Sequence, residues 1–344
     1  MKTMFRAFSA LLLLSLIASL GFAGAGNRAG TGGATELLIP TGTRDIAMGG
    51  STVSATSGIE ALFWNPAGVA KAKSDVSLMF SHMSYIADIG VDFGAVAANF
   101  EGIGVVSLSV KSLSIGDIPV TTTLAPDGTG QMFTPQFFNV GLGYARQLTD
   151  RISVGLLGML ISERMADVSA TGFAINVGVM YDNLASLQGL SLGLVVKNIG
   201  PQMKFDGPGL NYQATVSTLN RGPTFYRIDA ASFELPSTFE FGIGYKRPIA
   251  SEHYMQITGT FQNNNFSDDE YKLGAEFAFQ DVFFVRGGYD FAQKESDQRE
   301  YIYGMSMGFG MHYVLGTVDL TIDYAYRDLK YFEGNHMFSL KVGL

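Results

Sequence analysis

Few side chains in this 344-residue chain have a type and spacing that chemistry demands. With no cysteine there is no thiolate nucleophile, disulfide, Cys-ligated zinc or lipoprotein anchor. The four histidines, His82, His253, His312 and His336, are scattered without a His-x-Glu or His-Glu-x-x-His spacing, and no Gly-x-Ser-x-Gly, P-loop or dinucleotide fingerprint occurs. The reading is therefore of a protein that is not an enzyme and has neither catalytic residues, a metal nor a cofactor. A barrel can nevertheless assemble a Ser/His/acid site from distant strands without any local motif. Met305, Met307 and Met311 share a strand face with Tyr303, Phe309 and Tyr313, which suits lipid-facing packing better than metal binding. A net charge of −8 without a Lys/Arg cluster argues against nucleic acid as a partner.

The elements that would carry these residues are strands. From Asp75 onward the chain alternates with period two, segment after segment. Phe239, Phe241, Ile243 and Tyr245 face one way, while Thr238, Glu240, Gly242, Gly244 and Lys246 face the other. Likewise Val318, Leu320, Ile322, Tyr324 and Tyr326 oppose Asp319, Thr321, Asp323, Ala325 and Arg327. The segments are about ten residues long, enough for a tilted strand to cross a bilayer. Fourteen are expected, at 75–85, 91–100, 103–113, 136–148, 152–163, 170–182, 190–199, 237–247, 253–261, 270–279, 282–291, 301–315, 317–328 and 336–344. Their connections alternate short (Gln280-Asp281, Gly316-Thr317) and long (Ser114 to Pro135, Gly200 to Glu234). Tyr144, Tyr181, Tyr245 and Tyr313 gather on the turn side and Tyr271, Tyr289, Tyr303, Tyr324 and Tyr326 on the loop side, as two interfacial girdles. The expected fold is all-β: a closed antiparallel transmembrane β-barrel with a small N-terminal plug segment, integral to the bacterial outer membrane and surrounded by its lipid. Closure is what hydrocarbon requires, since every backbone N–H and C=O must find a partner.

Ahead of the barrel, residues 1–25 read as a secretory signal peptide. Lys2 and Arg6 precede an apolar Ala7 to Ala23 and the small residues Ala23-Gly24-Ala25. Residues 26–74 read as a Gly/Ala-rich flexible leader, Gly24 to Gly33, followed by a luminal plug, and 75–344 as the barrel. Ser57 to Trp64 has the spacing of a short helix in which Ser57 caps and Glu60 completes a capping box, with Pro66 ending it. A piece this small cannot bury a core alone, so it must pack on the barrel, most economically inside. Fourteen strands enclose a bore that needs filling. Inward charges of both signs then read as a hydrated or plug-contacting wall.

The run Gly42-Thr43-Arg44-Asp45-Ile46-Ala47-Met48-Gly49-Gly50, followed by Ala61-Leu62-Phe63-Trp64-Asn65-Pro66-Ala67-Gly68, resembles the N-terminal signature of the PorV/PorQ family, itself similar to the FadL-type fatty-acid channels. The resemblance implies a plug motif of Arg44, Met48, Gly49, Gly50, Trp64, Asn65, Pro66, Ala67 and Gly68 in the lumen of a fourteen-stranded barrel. It also implies a part in type IX secretion, with a secretion pore subunit or secreted cargo domains as partners. Phe205, Tyr212, Phe225 and Tyr226 in the long Gly200 to Glu234 loop are candidate contacts. The alternative implied by the FadL likeness is passive uptake of hydrophobic small molecules such as long-chain fatty acids. The inward faces, rich in Gly, Thr, Asp and Lys, lean against a purely apolar conduit.

Overall fold

The computed structural model describes residues 30–215, 222–250, 252–292 and 300–344. The expected signal peptide and most of the leader lie outside these residues. Fourteen strands form one closed antiparallel barrel. They are β1 (Val76–Ser84), β2 (Gly90–Phe100), β3 (Gly104–Ser114), β4 (Gln136–Gln147), β5 (Ile152–Met165), β6 (Val168–Asp182), β7 (Leu190–Ile199), β8 (Thr238–Ala250), β9 (His253–Asn264), β10 (Glu270–Phe279), β11 (Phe283–Ala292), β12 (Tyr303–Leu315), β13 (Val318–Leu329) and β14 (Asn335–Gly343). Each pairs with its neighbour in sequence, and β14 pairs back onto β1 from Ser77↔Gly343 to Ser84↔His336, leaving no open sheet edge.

The period-two pattern decides which side chain meets which surroundings. Phe80, Leu142, Leu160, Leu273, Val285 and Phe309 point outward and are exposed, whereas Lys197, Glu240, Lys272, Glu276, Arg286 and Asp323 point inward and are buried. Met305, Met307 and Met311 lie on the exposed outer face. Among the described residues no helix is long and apolar enough to cross a membrane.

Strand β12 departs from the expected facing. Its register with β13 runs Tyr303↔Leu329 and then Ser306↔Arg327, so β12 carries one extra residue. This bulge turns Tyr303 from the outer girdle into the lumen. There its hydroxyl bonds Tyr85 at 2.8 Å and its ring lies 4.1 Å from the Arg327 guanidinium.

Residues 34–71 occupy the bore as a series of short turns. They include helical turns at Thr43–Ala47 and Ala61–Trp64 and 3₁₀ turns at Thr35–Leu38, Gly58–Glu60 and Pro66–Lys71. The described end of the leader is held rather than free: the Gly33 N–H donates to Glu234 O at 3.3 Å. The capping box expected at Ser57 does not form, because Ser57 makes no side-chain cap and Glu60 turns away from it. Glu60 instead accepts from the Arg44 backbone N–H at 2.7 Å and from Lys341 Nζ at 2.6 Å. A buried carboxylate needs a counter-charge more than a short turn needs a cap.

Candidate functional site: the bore and its inner segment

Arg44 is the hub of the inner segment. Its Nε and Nη2 donate to the two oxygens of Glu276 on β10, each at 2.9 Å, forming a bidentate pair. Its Nη1 reaches Asp45 at 3.1 Å and its Nη2 donates to Gln256 Oε1 at 3.3 Å. Glu276 also accepts from Arg286 Nε at 2.6 Å and Tyr254 Oη at 3.1 Å. Arg286 continues to Asp323 at 2.5 Å, Asp323 to Lys341 at 2.9 Å, and Lys341 to Glu60. Glu60 accepts from the Arg44 N–H, so the circuit closes on itself through a backbone amide. The closed circuit joins the inner segment to β10, β11, β13 and β14.

Asp45 lies against this circuit with its side chain fully buried, receiving the Thr56 hydroxyl at 2.7 Å. Burial, reinforced by the nearby Glu60 carboxylate, raises its pKa from 3.8 to about 6 against the opposing pull of Arg44. Burial likewise raises the pKa of Glu36, in the first 3₁₀ turn. The backbone of that turn is held by Lys111 Nζ, which donates to Glu36 O at 2.7 Å and Ile39 O at 3.1 Å.

The other motif residues lie along the same segment. Asn65 donates through Nδ2 to Val53 O at 2.8 Å and to Val179 O on β6 at 3.3 Å, while its Oδ1 caps the Ala67 N–H at 3.2 Å. Pro66 opens the following 3₁₀ turn, and Ala67 and Gly68 are buried within it. Trp64 Nε1 donates to Thr41 O at 2.8 Å, and Lys197, paired with Glu240 at 2.8 Å, lies over the Phe63 and Trp64 rings at 4.8 and 5.4 Å. Met48 is fully buried, and Gly49 and Gly50 turn the chain with φ of 65° and 69°.

Room for this segment comes from glycines on the barrel wall. A Cβ at Gly178 would overlap the Asn65 side chain, and one at Gly155 the Pro66–Ala67 peptide. At Gly193 it would strike the Val53 carbonyl, and at Gly288 the Gly49 amide. The inward glycines are the sequence signal for where the segment lies, but they become interpretable only once the segment's path is known.

The segment separates two cavities that share no lining residue. The outer one, about 550 Å³, has an apolar side (Leu38, Ile89, Leu113, Ile115, Phe137) and a charged side that includes Lys197, Lys272, Asp290 and Arg327. The inner one, about 680 Å³ on the short-turn side, is lined by Arg44, Lys71, Lys73, Asp182, Lys246 and Lys341 among others. Among the described residues no three His, Asp or Glu side chains converge as a metal site.

The four candidate contact aromatics separate into two groups. Phe205 is half-buried, its ring 5.6 Å from Phe233, in a cluster with Met203 and Leu235. It packs at the loop base and is only partly accessible. Tyr212 and Phe225, 66% and 73% exposed, and Tyr226 project from a two-stranded hairpin, Asn211–Ala214 with Thr224–Arg227.

Solved structures share the architecture. The chain is similar to the Pseudomonas putida toluene transporter TodX (TM-score 0.55, 12% identity, covering 88% of this chain and 97% of that one). It is similar too to the CymD monoaromatic hydrocarbon channel (0.53, 13%, 89% and 97%) and the Ralstonia pickettii toluene transporter TbuX (0.52, 12%, 89% and 99%). At such identities the likeness is one of fold alone. No curated protein matches the chain in sequence. The sequence pattern of the family described as "Type IX secretion system protein PorV" matches residues 22–242, well over half the length, and the chain belongs to that family.

Proposed function

We propose that the protein is an outer-membrane component of a type IX secretion apparatus that engages a pore subunit or secreted cargo through its outer loops, with its own bore closed by the N-terminal segment. The observation that carries this reading is the inner segment. It is tied to the wall by a closed circuit of charges and lies between two cavities without a common lining residue, which suits a scaffold better than an open conduit. The exposed aromatic hairpin supplies a surface for a protein partner, since aromatic side chains anchor interfaces. Purification from native membranes, with identification of what co-purifies, tests it. A large pore subunit or cargo domains, lost on replacing Tyr212 and Phe225 by serine, are expected; recovery of the barrel alone with bound fatty acid would overturn it.

A second reading, passive uptake of hydrophobic molecules, is favoured by the apolar side of the outer cavity and by the channel activity named for the solved relatives. Lys197, Lys272 and Arg327 on the opposite side make that cavity amphipathic, and the inner segment lies between it and the second cavity.

A further inference from the structure

The short-turn cavity holds hydrogen-bond donors that the charge circuit does not use. Four carboxylates line it, and each is occupied. Glu276 takes Arg44, Arg286 and Tyr254, and Asp182 takes Lys71 at 2.6 Å. Asp319 faces His312 at 3.5 Å, and Asp150 faces Arg151 at 3.6 Å. Of the Lys and Arg side chains on the same wall, Arg44, Arg286, Lys341 and Lys71 are paired. Lys73 and Lys246 meet no carboxylate among the described residues, and both are exposed to the cavity mouth.

Lys246 is presented rather than neutralised. Its ammonium lies 3.5 Å from the centre of the Tyr254 ring, a cation–π seat that holds the charge in place and leaves its N–H bonds free to donate. Across the β8–β9 pair its direct register partner is Gln256, 7% exposed, so the two side chains are neighbours on the inward face. Gln256 Oε1 accepts from Arg44 at 3.3 Å, which orients the amide with Nε2 as its free end. That nitrogen has no acceptor among the described residues. Lys73, on the chain entering β1, lines the same cavity from half the circumference away in strand order. Much of the remaining wall carries hydroxyls, Ser57, Ser74, Ser191 and Thr321 among them, which suits a hydrated polar ligand and not a lipid chain.

We infer that Lys246, Gln256 and Lys73 form an oxyanion site for the carboxylate or phosphate group of a small polar solute. The solute enters from the short-turn side, which is periplasmic in a bacterial outer-membrane barrel. Lys246 Nζ and Gln256 Nε2 donate to the anionic oxygens, and Lys73 supplies the second positive charge from the facing wall. Such charge-assisted bonds are the strong ones, and here no internal carboxylate competes for them. A cavity of about 680 Å³ leaves room for a body of several carbon atoms behind the anionic group. The inner segment separates this site from the outer cavity and loops, so it stands independently of the secretion reading.

The test uses the full-length barrel folded in detergent, with folding monitored by heat-modifiable gel migration. Calorimetric titration at low ionic strength uses inorganic phosphate, succinate and, as a neutral control, glucose. Phosphate, succinate or both should bind and glucose should not; a response to one anion alone identifies the group the site takes. Lys246→Gln and Lys73→Gln should each weaken binding about tenfold, the loss of one charge-assisted hydrogen bond. Gln256→Glu keeps an acceptor for Arg44 while replacing the donor by a carboxylate, and should abolish binding. An amine-reactive label mapped by mass spectrometry should modify Lys73 and Lys246 in the free barrel, and the bound anion should protect both. Binding of neither anion, equal binding of glucose, or unchanged affinity in the folded Lys73→Gln, Lys246→Gln double variant would overturn the inference.

Discussion

Replacing Arg44 by methionine should release the inner segment while leaving the barrel closed. Methionine keeps much of the buried stem and removes the guanidinium, so its two bonds to Glu276 and those to Asp45 and Gln256 are lost together. Glu276 is not orphaned, since Arg286 at 2.6 Å and Tyr254 at 3.1 Å remain. The cost therefore falls at the low end of that for breaking a buried ion pair, about 3 kcal/mol. That corresponds to a shift of roughly 150-fold in the ratio of docked to undocked segment. None of it falls on the fourteen-strand hydrogen-bond ladder, which closes without the segment. In planar bilayers the variant should show raised or flickering conductance, and protease should cut within residues 34–71 while the folded form still migrates as a heat-modifiable barrel. A double variant, Arg44→Met with Glu276→Gln, should lose less than the sum of the two single changes, because the second removes the carboxylate that the first leaves half-paired. Conductance and proteolysis identical to the parent protein, or strict additivity in the double variant, would refute the claim that this circuit holds the segment.

Gly178→Val should displace Asn65 and raise conductance, whereas Gly259→Ala, whose new Cβ would meet Leu273 Cδ2 at 3.4 Å and Lys272 O at 3.8 Å, both ordinary contacts, should leave conductance and heat-modifiable migration unchanged. Asn65→Ala removes the Ala67 cap and the bond to Val53 O, and should cost about 1–2 kcal/mol of segment docking, read as faster proteolysis near residue 60. Folding raises the pKa of Asp45 from 3.8 to about 6, so between about pH 4 and 6 the folded protein holds a proton that the unfolded chain has released. Stability of the docked segment should fall as pH rises through that window and be level above it. Asp45→Asn should flatten this dependence, as measured by proteolysis at pH 5 and pH 7.5.

The barrel was legible because a two-residue period with one apolar face is a local property that each strand writes separately. The Gly42 to Gly68 motif was legible as a motif, but its partners were not. Glu276, Arg286, Asp323 and Lys341 are recognisable in sequence only as inward charges, and nothing local couples residue 44 to residue 276. Tyr303 was misplaced because one bulged residue reverses every facing beyond it, and such a bulge leaves no mark in a Tyr-x-Met-x-Met run. The Ser57–Glu60 spacing misled because a capping box and a buried ion pair compete for the same carboxylate, and the winner depends on Lys341, 281 residues away. Phe205 looked like its exposed neighbours because composition does not say which loop aromatic closes the base and which is left at the tip.

The charge circuit also has a consequence for the order in which the molecule is completed. Arg44 and Glu60 leave the ribosome long before Glu276, Arg286, Asp323 and Lys341, and Lys341 lies on β14, the strand that seals the seam with β1. Until that last strand arrives, Glu60 lacks the ammonium that neutralises it. The docked segment is thus complete only when the wall is: a barrel without β14 would keep the Arg44–Glu276 pair but leave the buried Glu60 carboxylate without its counter-charge.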